Sequence, residues 1–206
     1  LDRTRGIVLN PMIEYIKSVL QLYIRDFSYD TVFHFLRSGM ADISREEIDE
    51  LENYVIRTGA RGYRTYSRLF TRKTEEMQQG SGQEDTERAE ETMERLNRIR
   101  QQFADTVEIL HMAPRAKAGE YVDHLYDFLE QNQVQQKLLN YQQRFEQEGD
   151  LAKAREYAQI YRLVMDLLDQ IYELLGEEEI SLQEFADILE AGFGEITVGT
   201  IPQNAV

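Results

Sequence analysis

Apolar residues recur every three or four positions along most of the chain, the spacing that places them on one face of an α-helix. The first such stripe follows Asn10 and Pro11, which suit the N-cap and the first position of a helix. Ser28 can cap the next helix, and Ser44 with Glu47 has the spacing of a capping box. We therefore predict three short helices within the first sixty residues.

The rest of the chain repeats this spacing over longer stretches. A polar helix is predicted over residues 88–111, ended by Pro114, and the longest helix over residues 150–175. Two shorter helices lie between them, and Ser181 caps the last one. The apolar residues of these three shorter helices are Tyr121, Val122, Leu125, Tyr126 and Leu129; Leu138, Leu139, Tyr141 and Phe145; and Phe185, Ile188 and Leu189.

Only residues 195–201 show the alternation of a β-strand, and no hairpin partner lies nearby. The predicted fold is therefore predominantly all-α, multi-helix and bundle-like, with a short orphan strand at its C-terminal end. Residues 76–87, which include Gly80, Ser81 and Gly82, are polar and predicted to form a flexible loop.

The ends of the chain suggest a piece of a larger protein. The opening residues 1–5 (LDRTR) contain neither an initiator methionine nor the apolar core of a signal peptide. The orphan strand would need partners from outside the chain. We therefore expect residues 1–206 to form a single helical subdomain cut from a larger chain.

Composition narrows the possible chemistry. The 206-residue chain has no cysteine, which excludes disulfides, thiolate metal ligands and cysteine nucleophiles. Its apolar runs are too short to span a membrane. With 23 lysine and arginine residues against 38 aspartate and glutamate residues, the net charge is −15, and such a chain is on average repelled by phosphate backbones. Taken alone, the fragment is expected to be monomeric and to bind DNA weakly or not at all.

One basic segment stands out in this acidic chain, residues 57–73 (RTGARGYRTYSRLFTRK), which contain no acidic residue. If the segment is helical, its arginines line one face while aromatic residues interleave, as phosphate contact and base stacking require. The candidate DNA contacts are Arg57, Arg61, Arg64, Arg68, Arg72, Lys73, Tyr63 and Tyr66. The alternative is that these arginines pair with acidic faces elsewhere in the same domain.

No catalytic or metal site is predicted. The acidic clusters at 46–50 and 177–179 suit helix capping and solvated faces, because successive side chains on a helix point about 100° apart. His34, His111 and His124 are scattered, without a second histidine or a cysteine at ligand spacing. His34 lies between two phenylalanines and is predicted to pack at the edge of the core.

Several short sequence segments, in the same order along the chain, resemble the AddB subunit of the bacterial AddAB helicase–nucleases. They cover essentially the whole chain, and the ordered set is more specific than any one of them. The segments are residues 10–16 (NPMIEYI), 26–33 (DFSYDTVF), 36–40 (LRSGM), 48–55 (IDELENYV), 148–156 (EGDLAKARE) and 179–192 (EISLQEFADILEAG).

The resemblance implies a position and a setting. The chain is similar to the helical, 2B-type insertion subdomain of a superfamily I helicase fold that acts in double-strand break resection. The resemblance implies that residues 1–9 and 195–206 connect this subdomain to a parent sheet. Residues 1–5 and 198–202 resemble the connections to the parent sheet, although Gln203, Asn204 and Ala205 depart from the family's usual second proline and aspartate. That departure puts a specific contact at this end in question.

The family's ATP-binding loop, nuclease carboxylates and cluster cysteines have no counterparts in this chain. ATP, magnesium and the iron–sulfur cluster are therefore expected in other parts of the parent protein. The implied partners are a double-stranded DNA end and an AddA-like subunit, in the cytoplasm of a bacterium.

Three hypotheses remain open at this stage. The first is a non-catalytic subdomain that contacts DNA within the helicase–nuclease. The second is a protein-docking module without DNA contact, using the helix at 150–175. The third is an independent helical enzyme with a carboxylate metal site.

Overall fold

Ten α-helices make up most of the computed structural model, which describes residues 10–199. In chain order they are α1 (Pro11–Ile24), α2 (Tyr29–Leu36), α3 (Arg45–Thr58), α4 (Tyr63–Tyr66), α5 (Glu75–Gln79), α6 (Gln83–Val107), α7 (Ala118–Gln131), α8 (Val134–Gln147), α9 (Leu151–Leu175) and α10 (Leu182–Gly199). A 3-10 turn (Glu108–Leu110) follows α6, and two short strands are β1 (Arg115–Lys117) and β2 (Glu179–Ser181). The predicted all-α class is confirmed.

The helices begin where the capping signals in the sequence predict. The Asn10 side chain accepts the Met12 amide hydrogen at 2.9 Å. Ser44 and Glu47 form the reciprocal pair of a capping box, and Asp150 caps α9. Each cap satisfies a backbone donor that has no partner inside the helix and stabilises it by about 0.5–2 kcal/mol.

Helix α1 lies at the centre of a single hydrophobic core. It packs against α2 and α10, while α8 and α9 form a helical hairpin that packs on α7 through α9. Tyr15 of α1 is fully buried and stacks on Phe35 and Phe128, each at a centroid distance of 5.1 Å. These rings join the first helices of the chain to α7.

A two-stranded ribbon fixes the starts of α7 and α10 relative to each other. Strands β1 and β2 pair antiparallel, with Ala116 opposite Ile180. An ion pair of 2.7 Å between Lys117 Nζ and a carboxylate oxygen of Glu177 closes the ribbon at one end. This ribbon was not predicted, because a three-residue strand is too short to show alternation.

The strand predicted over residues 195–201 is wrong as far as the structure describes it, because α10 continues to Gly199. Phe185, Leu189, Phe193 and Ile196 are buried at helical spacing and keep this part of the chain in the helix. Residues 200–206 and the predicted connection at 1–9 lie outside the described residues.

The flexible loop predicted over residues 76–87 is also wrong. Helix α5 occupies its first part, with the Thr74 side chain accepting the Met77 amide hydrogen at 3.5 Å as a cap. Helix α6 already begins at Gln83, whose side-chain amide donates to Glu87 one turn later at 3.0 Å. Only residues 80–82 remain outside helices, because these local caps and pairs stabilise helices that carry few apolar residues.

Candidate nucleic-acid interface

The basic segment at 57–73 is not one continuous helix. Helix α3 ends at Gly59, which has a φ of +69° and takes the left-handed conformation that terminates helices. Only Tyr63–Tyr66 is helical beyond it, and residues 67–74 run outside helices and strands. The prediction that Arg61, Arg64, Arg68 and Arg72 line one helix face is therefore wrong.

Two polar residues of α6 hold the non-helical part of the segment. Asn97 Oδ1 accepts the Phe70 amide hydrogen at 2.7 Å, and Asn97 Nδ2 donates to the Phe70 carbonyl at 3.0 Å. The buried Arg100 donates to the Tyr66 carbonyl at 2.9 Å and to Asn97 Oδ1 at 3.1 Å. Burial lowers the pKa of the Arg100 guanidinium. These bonds satisfy backbone groups that would otherwise require a helix.

The aromatic residues of the segment anchor it in the core. Tyr66 is 1% exposed and packs edge-on against Phe103 at 5.4 Å, and Phe70 is also buried. Burial raises the pKa of Tyr66 well above its ordinary value. The base-stacking role predicted for Tyr66 is therefore wrong, since a base cannot reach its ring in this conformation.

Two of the predicted cations have partners within the domain. Arg57 forms a 2.7 Å ion pair with Glu76, and Arg72 donates to the Thr58 carbonyl at 2.7 Å. The backbone carbonyl of Arg72 in turn accepts the Tyr54 hydroxyl at 2.8 Å. The alternative prediction, that the arginines pair with carboxylates of the same domain, thus holds for Arg57. Arg72 instead links the segment to the end of α3 through its hydrogen bond to a backbone carbonyl.

The other four predicted cations form what we call the exposed basic set, Arg61, Arg64, Arg68 and Lys73. All four are exposed. Within residues 10–199 none of them forms an ion pair, although the chain carries a net charge of −15. The segment therefore presents to solvent four positive charges without an ion-pair partner in the described part of the chain, which suits contact with a polyanion.

Tyr63 lies beside this set and is held on three sides. Its hydroxyl donates to Glu108, with both carboxylate oxygens within 3.0 Å, and its amide donates to Asp26 at 3.0 Å. Its ring stacks on His111 at 4.1 Å. Partial burial, followed by the Glu108 carboxylate, raises the pKa of Tyr63. The ring is thus fixed in place beside the exposed arginines.

The sequence prediction missed Asn97, Arg100, Glu108 and His111 as parts of this region. Arg100 does carry a signal, because it lies between Leu96 and Phe103 in the apolar stripe of α6. A charged residue at a core position is rarely buried without a partner. No comparable signal marks Glu108 or His111, which meet Tyr63 only through the tertiary fold.

The remaining histidines are engaged in local contacts. His34 is exposed and pairs with Glu14 at 3.3 Å, so its predicted place at the edge of the core is wrong. The imidazole of His124 contacts the Ile109 carbonyl at 2.6 Å. Among residues 10–199, no three His, Asp or Glu side chains come close enough to hold a metal ion. No helix in this part of the chain is long and apolar enough to cross a bilayer.

Comparison with known proteins matches the chain to a segment of longer relatives. No protein family profile matches it. It is 38% identical over 205 residues to the AddB subunit of the ATP-dependent helicase/deoxyribonuclease of Clostridium botulinum (strain Langeland). The subunits of the same name from Acetivibrio thermocellus and Caldanaerobacter subterraneus are 37% and 33% identical. Each match covers 98% of this chain but only 17–18% of the relative. The resemblance to AddB-type subunits is confirmed.

Proposed function

Because the chain is homologous almost end to end to a segment of the AddB subunit of ATP-dependent helicase/deoxyribonucleases, we propose that it is a non-catalytic helical subdomain of such a subunit. In this proposal it contacts DNA while the enzyme resects a double-strand break for recombinational repair. Its partners are the double-stranded DNA end and an AddA-like subunit. ATP, magnesium and an iron–sulfur cluster would be bound by other parts of the protein.

The observation that carries the DNA contact is the exposed basic set. Long cationic side chains on an acidic domain would ordinarily pair with neighbouring carboxylates, yet Arg61, Arg64, Arg68 and Lys73 form no ion pair within residues 10–199. The backbone that carries Arg68 is clamped by Asn97 and supported by the buried Arg100. A fixed set of free cations is suited to phosphate contacts, which position DNA without reading its sequence.

The test is charge reversal at two members of the set, Arg68→Glu together with Lys73→Glu, made in the complete subunit assembled with its partner. Each lost phosphate contact weakens binding by about 0.9 log units at 0.1 M salt. Two lost contacts amount to about 1.8 log units, so we expect the Kd for a duplex end to rise by about 60-fold in a titration with labelled DNA.

The matched control is Arg155→Glu together with Arg162→Glu. Both arginines are exposed on α9, whose main packing partners are α7, α8 and α10, and the net charge changes by the same amount. If the two double variants lose affinity equally, only the overall charge matters, and the proposed contact is refuted. Unchanged affinity in the Arg68 and Lys73 variant would also refute it.

A second candidate function is docking on a partner subunit through α9. Tyr172 and Leu174 near its C-terminal end are 49% and 79% exposed. Because residues two positions apart point to different sides of a helix, these side chains put apolar surface on two faces. Apolar side chains exposed on two faces of this helix are what the docking hypothesis expects.

This docking function predicts that Leu174→Glu lowers co-purification of the two subunits while DNA binding by the complex that does assemble is preserved. Leu151→Glu, at the other end of α9 and 60% exposed, is the comparison variant. Full assembly by Leu174→Glu would remove this candidate.

A further inference from the structure

A groove of about 680 Å³ opens beside the exposed basic set. Its walls come from the end of α1, the turn into α4, the residues after the 3-10 turn and the start of α10. The volume falls in the range of roughly 300–1,000 Å³ that is usual for small-ligand sites. The residues that give the groove its chemistry are Arg61, Arg64, Tyr23, Tyr63 and His111.

We infer that this groove binds an unpaired nucleotide, in the form of single-stranded DNA leaving the duplex end. The inference rests on the proposed function and extends it, because it assigns two members of the exposed basic set, Arg61 and Arg64, to a single strand and leaves Arg68 and Lys73 to the duplex. Arg68 and Lys73 are not among the residues that line the groove. Substitutions can therefore remove the duplex contact of Arg68 and Lys73 without removing the single-strand contact in the groove, and the reverse.

The platform for a base is the imidazole of His111. It stacks on Tyr63 at 4.1 Å with the ring planes 15° apart. Tyr23 is 6.2 Å from His111 and 6.4 Å from Tyr63, which places Tyr23 to the side of the imidazole and not on the face opposite Tyr63. The His111 side chain is 48% exposed. A flat ring fixed from behind and open to solvent is the arrangement on which nucleobases stack.

The rigidity of this platform comes from polar contacts beneath it. Glu108 accepts the Tyr63 hydroxyl hydrogen, and Asp26 accepts the Tyr63 amide hydrogen. These two carboxylates are therefore engaged with Tyr63. Asp26 and Phe27 adopt positive φ angles of 47° and 50° in the turn between α1 and α2, and the Phe27 carbonyl accepts the Gly62 amide hydrogen at 3.2 Å.

The partners for phosphate are Arg61 and Arg64, at the same wall of the groove as Tyr63. Neither guanidinium forms an ion pair with any residue from 10 to 199. A cation next to an aromatic platform is the combination that binds single strands without strong sequence preference, because every base has a π-face and every nucleotide a phosphate. Bases within a duplex are stacked on each other and cannot use such a platform.

The experiment compares blunt duplex ends with ends that carry a single-stranded tail, using the complete subunit in its complex. His111→Ala removes the platform, and His111→Phe retains a flat ring. We expect His111→Ala to weaken binding of tailed ends by about tenfold, the size of one lost base-stacking contact, and to leave blunt ends unchanged. We expect His111→Phe to bind tailed ends like the original protein.

A second readout is the fluorescence of 2-aminopurine placed in the tail. Stacking quenches this base analogue, so His111→Ala should bring its emission in the complex closer to that of the free DNA, while His111→Phe should keep it quenched. Equal loss of tailed and blunt ends in His111→Ala would mean a structural role and would overturn the inference, as would no loss at all. Because Arg68 and Lys73 are intact in these variants, such a result would leave the proposed duplex contact standing.

Discussion

The clamp that Asn97 places on the basic segment gives the most informative perturbation, Asn97→Ala. The substitution leaves the charge of the chain unchanged. It removes the acceptor for the Phe70 amide at 2.7 Å and the donor to the Phe70 carbonyl at 3.0 Å. It also removes the partner of Arg100 Nε at 3.1 Å. The consequences therefore belong to the position of the segment and not to its electrostatics.

The expected size follows from those contacts. Hydrogen bonds of this kind contribute about 0.5–1.5 kcal/mol each, and a buried group left without a partner costs about 1–3 kcal/mol. Because the segment at 67–74 can relax toward solvent, we expect a total loss of about 2–3 kcal/mol in the free energy of unfolding. For a chain of this length, that corresponds to a Tm lower by roughly 4–12 °C.

The assay combines thermal unfolding with hydrogen exchange. Amides at residues 66–72 should exchange faster in Asn97→Ala, while those of α1 should change only with the global stability. DNA affinity of the complete subunit should fall although no charge has changed. The control is Asn140→Ala on α8. Its exposed side-chain amide bonds, within residues 10–199, only to Gln136, so this variant should stay within about 0.5 kcal/mol. If Asn97→Ala behaves like this control, the clamp does not hold the segment and the reasoning fails.

Two further predictions concern buried groups. Tyr66→Phe removes a hydroxyl without a hydrogen-bond partner among the described residues. Denaturant unfolding should therefore show unchanged stability or a gain of up to about 1 kcal/mol. A loss of more than about 1 kcal/mol would contradict a buried hydroxyl without a partner. Burial raises the pKa of Glu156, opposed in part by the Asn10 amide and the Lys153 ammonium. The folded state therefore favours protonated Glu156, whose stabilising effect is complete below the ordinary carboxyl pKa and is lost as the pH rises through the raised value. Glu156→Gln should raise the Tm at pH 7, and this gain should shrink toward pH 4. Glu148→Gln, at an exposed position, should not raise the Tm. A gain in Glu156→Gln that does not depend on pH would refute the raised pKa of Glu156.

Local signals in the sequence predicted most helix starts correctly. Asn10, Ser44 and Asp150 cap helices through bonds to residues two or three positions away. Such contacts depend on neighbours along the chain, so they can be predicted from the sequence without knowledge of the fold. The apolar stripe of α6 was likewise visible from its spacing, although the helix begins five residues earlier than expected.

The course of the basic segment could not be predicted in the same way. Its arginine spacing fits a helix, but Asn97 and Arg100 bind its backbone from another part of the chain. The alternation at 195–199 was similarly misleading, because Phe193 and Ile196 are buried on α10 at helical spacing. In both segments, tertiary contacts thus determine a conformation that differs from the one that the local sequence pattern predicts.

The division of the six basic residues was also beyond the sequence. Arg57 forms an ion pair with Glu76 of α5, and Arg72 donates a hydrogen bond to the Thr58 carbonyl at the end of α3. The other four remain free of ion pairs within the described part of the chain. Which arginines are available to a partner therefore depends on where the chain turns after Gly59 and after Tyr66.

The most direct test of the central claim is the salt dependence of DNA binding by the complete subunit in its complex. Arg61, Arg64, Arg68 and Lys73 are neutralised one after another with glutamine, and log K is measured against log salt concentration for a duplex end that carries a single-stranded tail. If all four contact phosphates, the slope should become shallower by about 0.9 for each duplex contact and about 0.7 for each single-strand contact, or about 3 in total. A slope that stays the same through the whole series would contradict the claim that these residues face DNA.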